Sequence, residues 1–330
     1  MAQPVLLLSR ADVRALLDME SCIAAVEAAF QAQADGATLP ASVLGTHAPA
    51  GGFHVKAAGL TRDRAYYACK INANFPENPV RHGLPTVQGV VALFDAGNGM
   101  LLALMDSMEI TTLRTAAATA VAAKHLARAD ARTVAILGCG VQGRSQLRAL
   151  ARVRRIDRVY AWDGAPDAAQ RFAREMTTEL GCDVAATGAY RDVVGRCDVI
   201  VTCTASHKPL LGAEDVQAGT FVAGVGADSE SKHELAPDLL ARSTLVVDVL
   251  EQCARIGDLH HALDAGAMAR DDVHAELADV VSGRRPGRRS LDEITVFDST
   301  GTALEDVAAA AVLYERAIAR GGAREIALGA

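Results

Sequence analysis

A chain of 330 residues, half of them hydrophobic and 22% charged, has the length for two domains with separate cores and the balance of a globular protein in water. The net charge of −7 excludes a nucleic-acid surface, which would gather lysine and arginine into a stripe. No apolar run approaches the roughly 18 residues needed to cross a bilayer, so no membrane partner is expected.

The seven cysteines are scattered singly with no CxxC pair, which argues against a zinc site or a disulfide framework. No metal is expected, and reduced thiols suit the cytoplasm. The opening "MAQPVLLLSRADVRALL" agrees, because its short apolar run has no basic segment before it and no small-residue cleavage site after it.

In chain order, Ser9 reads as the N-cap of a short helix through Leu17. Residues 19–35 carry Ile23, Val26 and Phe30 at helical spacing before Gly36 ends the run. The period then changes. Residues 52–60, 65–73, 85–94 and 100–106 read as strands between Gly, Asn and Pro turns, which predicts an antiparallel meander. Within "GGFHVKAAGL" (51–60), His54 and Lys56 are two apart and share one face of their strand. In "CKINANF", Lys70, Asn72 and Asn74 form a second polar row, which a core-facing surface tolerates only with ligands or partners. An Ala-rich helix spans 109–127. Arg114 falls in its first turns, where it is either a surface salt bridge or a planar fork acting with the helix N-terminus on an anion.

Beyond this helix, apolar runs at 133–137, 159–162, 198–203, 221–225, 244–249 and 294–297 alternate with helical segments. Fully apolar strands of this kind belong to a parallel sheet covered on both faces, so the second part is a doubly wound α/β domain. The strand "TVAIL" runs directly into Gly138-x-Gly140-x-x-Gly143 and a helix follows, the arrangement that lets backbone approach a pyrophosphate at a helix N-terminus. The next strand ends at Asp163, where a carboxylate accepts hydrogen bonds from the adenosine ribose. The following "GAPDAA" holds no basic residue for a 2′-phosphate and adds Asp167, so NAD(H) is expected over NADP(H). Asp228 comes just after the strand 221–225, at the carboxyl edge where such sheets bind ligands; its alternative is a helix N-cap. The segment 302–320 is an Ala-rich helix with Glu305 and Asp306 near its start, able to pack on either domain, and "SGRRPGRRS" (282–290) reads as a solvated loop.

Four blocks in order, "KINANFPENPVRHGLPTVQGVVALFDAGNGMLLALMDSMEITTLRTAAATAVAAKHLA", "GCGVQG", "VGADSESKHEL" and "FDSTGTALEDVAAAAVLY", resemble the ornithine cyclodeaminase/μ-crystallin family. The resemblance implies a Rossmann doubly wound parallel sheet over 116–304. It also implies a discontinuous α+β substrate-binding and dimerisation domain over 1–115 and 305–330, and thus a homodimer. It further implies redox chemistry at the carbon–nitrogen bond of 2-amino or 2-imino acids. Carried over by motif, Lys70 and Arg114 hold the substrate α-carboxylate, with Thr86 in the same site, and Asp228 takes the general acid/base position with Lys70 as a second catalytic residue. Gly138, Gly140, Val141, Gln142, Gly143 and Asp163 hold the dinucleotide. "CTAS" (Cys203, Thr204, Ala205, Ser206), Gly226 and the Asp298 and Ser299 of "DSTG" line the nicotinamide and its ribose.

Two departures bear on the substrate. Where cyclodeaminases carry an arginine, this chain has Ala41, Ser42 and Val43; where they carry a glutamate and then a methionine, it has His54 and Lys56. A diamine's distal ammonium would meet like charge there. Either Lys56 and His54 hold the second carboxylate of a short dicarboxylate such as iminosuccinate, or Lys56 replaces the missing arginine at the α-carboxylate. The expected activity is an NADH-dependent reduction of a 2-imino acid to an L-amino acid. The alternatives are a cyclodeaminase and a nucleotide-dependent ligand-binding protein, whose apolar pocket fits poorly with 4% aromatic residues.

Overall fold

The computed structural model describes residues 4–61 and 64–328. The chain divides into two compact units, one running to Arg114 and resuming at Thr302, the other spanning Thr115–Gly301.

The first unit is built on a seven-stranded sheet in the order Arg324–Ile326, Val5–Leu8, Leu101–Asp106, Val87–Asp95, Tyr66–Asn74, Gly51–Leu60, Thr38–Ala48. From Thr38 to Asp106 the strands run antiparallel, as the alternating pattern predicts, while Val5–Leu8 pairs parallel to Leu101–Asp106. Thr38–Ala48 is an unexpected strand. It lies at the sheet edge with no fully buried side chain, tolerates Pro40 there, and shifts register between Leu39 and Ser42, so it carries no clean alternation. Val5–Leu8 and Arg324–Ile326 are too short to read as strands from sequence.

The helix Ala303–Arg320 lies on one face of this sheet, with Met19–Ala34 packed against it through Ala29, Leu304 and Ala308. Both helices start at side-chain caps: Asp18 accepts from the Ser21 N–H, and Thr302 and Glu305 form a capping box. The helix Ser107–Leu126 begins earlier than expected, which sets Arg114 about two turns in, away from the helix N-terminus.

The second unit carries an eight-stranded parallel sheet, ordered Ala275–Glu276, Thr244–Val247, Thr295–Asp298, Phe221–Gly224, Val199–Thr202, Thr133–Leu137, Arg158–Trp162, Asp183–Ala186. Four of these strands are buried at every position, which is why they read as continuous apolar runs. Chain order reverses between Thr133–Leu137 and Val199–Thr202, so the crevice of a doubly wound sheet opens at their carboxyl ends. The loop 282–290 departs from the solvated reading at Arg288. That half-buried guanidinium donates to the carbonyls of Leu126, Thr220 and Glu293 and to the Thr295 hydroxyl, because a long side chain reaches strand-end carbonyls that need donors. Among the described residues, no helix is long and apolar enough to cross a membrane, and no group of three or more His, Cys, Asp or Glu could hold a metal.

Candidate functional site

In the second unit, the glycines of the Gly138–Gly143 turn have distinct reasons. Gly138 has φ +108°, and a Cβ there would lie 2.6 Å from the Cys203 carbonyl oxygen; one on Gly143 would lie 2.1 Å from the Gly138 carbonyl oxygen. A Cβ on Gly140 would meet nothing within 4 Å, so its bare backbone faces open space at the start of the helix Val141–Val153. Asp163 is pinned beside this turn, accepting from the Cys139 N–H at 2.8 Å and the Ala165 N–H at 2.9 Å. Val141 is exposed, and the buried Gln142 Oε1 has no hydrogen-bond partner among the described residues.

The loops that leave the neighbouring strands are tied together. Cys203 donates its backbone N–H to Leu137 and points its thiol at the Gly138 carbonyl, 3.2 Å away. The Thr204 N–H and hydroxyl both donate to Glu234, as does the Gly226 N–H, while Ser206 donates its N–H to the Thr204 hydroxyl and Ala205 is exposed. Asp298 is fully buried and turned inward, accepting from the N–H groups of Asp258 and Leu259, whereas the buried Ser299 hydroxyl has no partner among the described residues. Asp228 lies on an exposed loop in a 2.6 Å ion pair with Lys232; the next helix starts at Pro237, so Asp228 is not an N-cap. The open side of Gly140, the pinned Asp163 carboxylate and the Gln142 and Ser299 oxygens, which lack partners among the described residues, fit a dinucleotide along this carboxyl edge.

In the first unit, the polar row finds its partners. Lys70 lies 2.7 Å from Asp306, and Arg114 reaches Glu305 at 2.9 Å and Asp306 at 3.1 Å, with all four side chains less than a tenth exposed. Arg114 is therefore a buried ion-pair residue, not a surface one. The second oxygen of Glu305 accepts from the Thr302 N–H, so one acid caps its own helix and holds the guanidinium. Asn72 accepts from the Ser107 hydroxyl at 2.6 Å. Across the strands Lys56 is directly paired with Lys70, and His54 with Asn72, so His54, Lys56, Lys70 and Asn72 share one face. Thr86 lies outside this row, half-buried at a turn where its carbonyl accepts from the Phe75 N–H.

Burial, together with the nearby Arg114 and Lys56 charges, pushes the Lys70 ammonium down to about 7 against the pull of Asp306. Burial pushes Asp306 the other way, but Lys70 and Arg114 outweigh it and hold that carboxyl below its ordinary value. Sequence reasoning missed Glu305 and Asp306 as site residues because they read as ordinary helix-start acids. It also missed Glu234, which stands in the quoted "SKHEL" block with no local sign of its four donors.

A doubly wound sheet with this glycine turn at its switch point, in one chain with a mixed sheet bearing a buried Lys–Asp–Arg–Glu cluster, defines a two-unit dinucleotide-binding protein. The chain belongs to the ornithine cyclodeaminase/mu-crystallin family, whose model matches residues 4–321. An archaeal alanine dehydrogenase dimer with bound NAD is 37% identical, with a TM-score of 0.94 over 99% of this chain and 100% of that one. The Δ1-pyrroline-2-carboxylate reductase of Thermococcus litoralis, in complex with NADH and L-proline, is 34% identical with a TM-score of 0.93 over 98% and 100%. The iminosuccinate reductase of Paracoccus denitrificans, in complex with NAD+, is 33% identical with a TM-score of 0.90 over 98% and 99%.

Proposed function

We propose that this protein is an NAD(H)-dependent oxidoreductase of carbon–nitrogen bonds that reduces a 2-imino acid to an L-amino acid. The observation that carries the reading is the buried cluster of Lys70, Arg114, Asp306 and Glu305 with Lys56 across the strand, an anion-binding chemistry suited to an amino-acid carboxylate. The two acids hold the two cations in place, and the Arg114 fork and the Lys70 ammonium take the substrate α-carboxylate. NADH, when bound, supplies the hydride for the imine carbon. Asp228 relays the proton that the imine nitrogen requires: its carboxylate accepts from the Lys232 ammonium, which passes a proton through it and is reprotonated from water. Reduced cofactor and imine plus one proton thus become oxidised cofactor and amine.

NAD(H) is preferred over NADP(H), since Asp163 and the exposed Asp167 would repel a 2′-phosphate. The substrate is a short dicarboxylate such as iminosuccinate. Lys56 reads its second carboxylate, and the same lysine disfavours the distal ammonium of a diamine. The protein works as a homodimer, through the exposed apolar sheet face that carries Leu44, Ile71 and Val90.

The test is an NADH oxidation screen over oxaloacetate and pyruvate with ammonia, comparing wild type with Lys56→Met. Loss of about tenfold or more in kcat/KM on oxaloacetate, with pyruvate spared, is the expected result. Equal loss on both assigns Lys56 to the α-carboxylate instead. No NADH oxidation with any 2-oxo acid and amine, or with cyclic imines, sinks the reductase reading.

A further inference from the structure

Glu234 is fully buried on the short strand His233–Leu235, and both of its carboxylate oxygens are saturated. One accepts from the Thr204 N–H and the Thr204 hydroxyl, each at 2.6 Å; the other accepts from the Thr202 hydroxyl and the Gly226 N–H, each at 2.7 Å. Thr202 and Thr204 flank the end of one central strand, and Gly226 follows the end of the next. A single side chain therefore clasps two adjacent loops at the carboxyl edge, 203–206 and 226–228. Glycine is required at 226 for this: a Cβ there would lie 2.5 Å from the Glu234 carboxylate and 2.4 Å from the Thr204 carbonyl oxygen.

The clasp is itself braced. The Asp258 carboxylate accepts from the Glu234 and Leu235 N–H groups at 2.8 and 3.0 Å, and Asp298 accepts from the N–H groups of Asp258 and Leu259. Three buried acids thus stand in series from the end of one central strand to the loops of two others. Burial raises the Glu234 carboxyl above its ordinary value, and the hydrogen bonds from Thr204, Thr202 and Gly226 pull it back.

We propose that Glu234 is a positioning residue that sets the two loops carrying Thr204 and Asp228, and through them the affinity for the nicotinamide cofactor and the rate of the proton-coupled step. The inference rests on the proposed dinucleotide-dependent reductase reading. Glutamine at this position keeps the shape but turns an –NH2 group toward hydroxyl and N–H donors, and an unsatisfied buried donor is costly.

Full-length Glu234→Gln, Thr204→Val and Thr204→Ser are compared with wild type by three measurements. These are NADH titration through the emission excited by Trp162, the only tryptophan, turnover against pH, and deuterium exchange of the Thr204 and Gly226 amides. In Glu234→Gln we expect about a ten- to hundredfold loss of NADH affinity, a fall in kcat with an altered pH profile, an unchanged KM for the imine, and faster exchange of both amides. Thr204→Val shows a smaller loss, about threefold to tenfold, and Thr204→Ser recovers it. The proposal is overturned if Glu234→Gln loses only thermal stability while its folded fraction binds NADH and turns over as wild type does. Should Glu234→Gln not fold, the Thr204 pair decides, and wild-type behaviour of Thr204→Val overturns the proposal. A wild type that oxidises NADH with no imine defeats the reductase reading alone, since amide exchange still reports on the clasp.

Discussion

The two faces of the sheet in the first unit differ by one residue along each strand. On one face Val43, Lys56, Lys70 and Val91 line up across four strands; on the other Leu44, Val55, Ile71 and Val90 line up beside them. The first row lies under the helix Ala303–Arg320, whose Glu305 and Asp306 meet the charges, and the second is open, with Leu44 62%, Ile71 43% and Val90 36% exposed. Like charges directly opposite on a sheet repel, so the Lys56–Lys70 pair would not be placed there for stability. The covered face carries the charge and the open face is apolar, the reverse of a simple inside–outside rule.

The strongest way to break this reading is to remove the charge from the covered face. Lys70→Met leaves Asp306 buried with one cation fewer, and destabilisation of roughly 3 kcal/mol or more is expected in denaturant unfolding. Lys70→Met combined with Asp306→Leu recovers much of that loss, because an apolar pair of similar volume needs no compensation. Turnover on imino acids stays low in both. If the double variant recovers activity along with stability, the cluster is only a structural tie and the covered face is not a substrate site.

These two faces were legible in the sequence to different degrees. Alternation in "GGFHVKAAGL" and "CKINANF" was enough to set His54 with Lys56 and Lys70 with Asn72, since period two is a local property of a strand, but only the pairing register joins the two rows on one side. Asp306, which answers Lys70, lies 236 residues further along and looked like any carboxylate at a helix start, as did Glu305. The glycine turn was fully readable because strand, turn, helix and Asp163 are contiguous. Glu234 was not, because its donors come from two separate loops, and Asp298 was read as facing a ligand when its carboxylate caps backbone N–H groups inside the fold. Contiguous motifs announce themselves; partnerships closed by folding do not.

A second test sharpens the covered face through pH. The Lys70 ammonium is disfavoured in the folded chain, with its ordinary value of 10.5 brought down to about 7. Between those values the unfolded chain binds a proton that the folded one lacks, so stability rises with pH across that window and the rise is absent in Lys70→Met. Substrate binding runs the other way. If the charged ammonium holds the carboxylate, KM for the imino acid climbs above about pH 7, approaching tenfold per pH unit, while NADH affinity does not follow it. A KM that is flat over this range removes Lys70 from the substrate site.

The open face gives the smallest effect on the protomer and the clearest one on assembly. The row Leu44, Val55, Ile71 and Val90 spans four strands, and Phe53 packs edge-to-face on Phe75 with 43% of its own surface still exposed. Monomers seldom leave so continuous an apolar strip uncovered, and a second copy of the chain is the partner that the dimer reading supplies. Ile71→Lys puts a charge in the middle of that strip at a position where the side chain already meets solvent, so the isolated protomer loses less than about 1 kcal/mol. Sedimentation at micromolar concentration should then give the mass of one chain for the variant and two for wild type. The Lys70–Asp306 pair, one residue away but facing the other side, should keep its pH response in the monomer. A wild type that sediments as a single chain would leave the apolar face without its partner, and a variant that still dimerises would assign the contact to another surface.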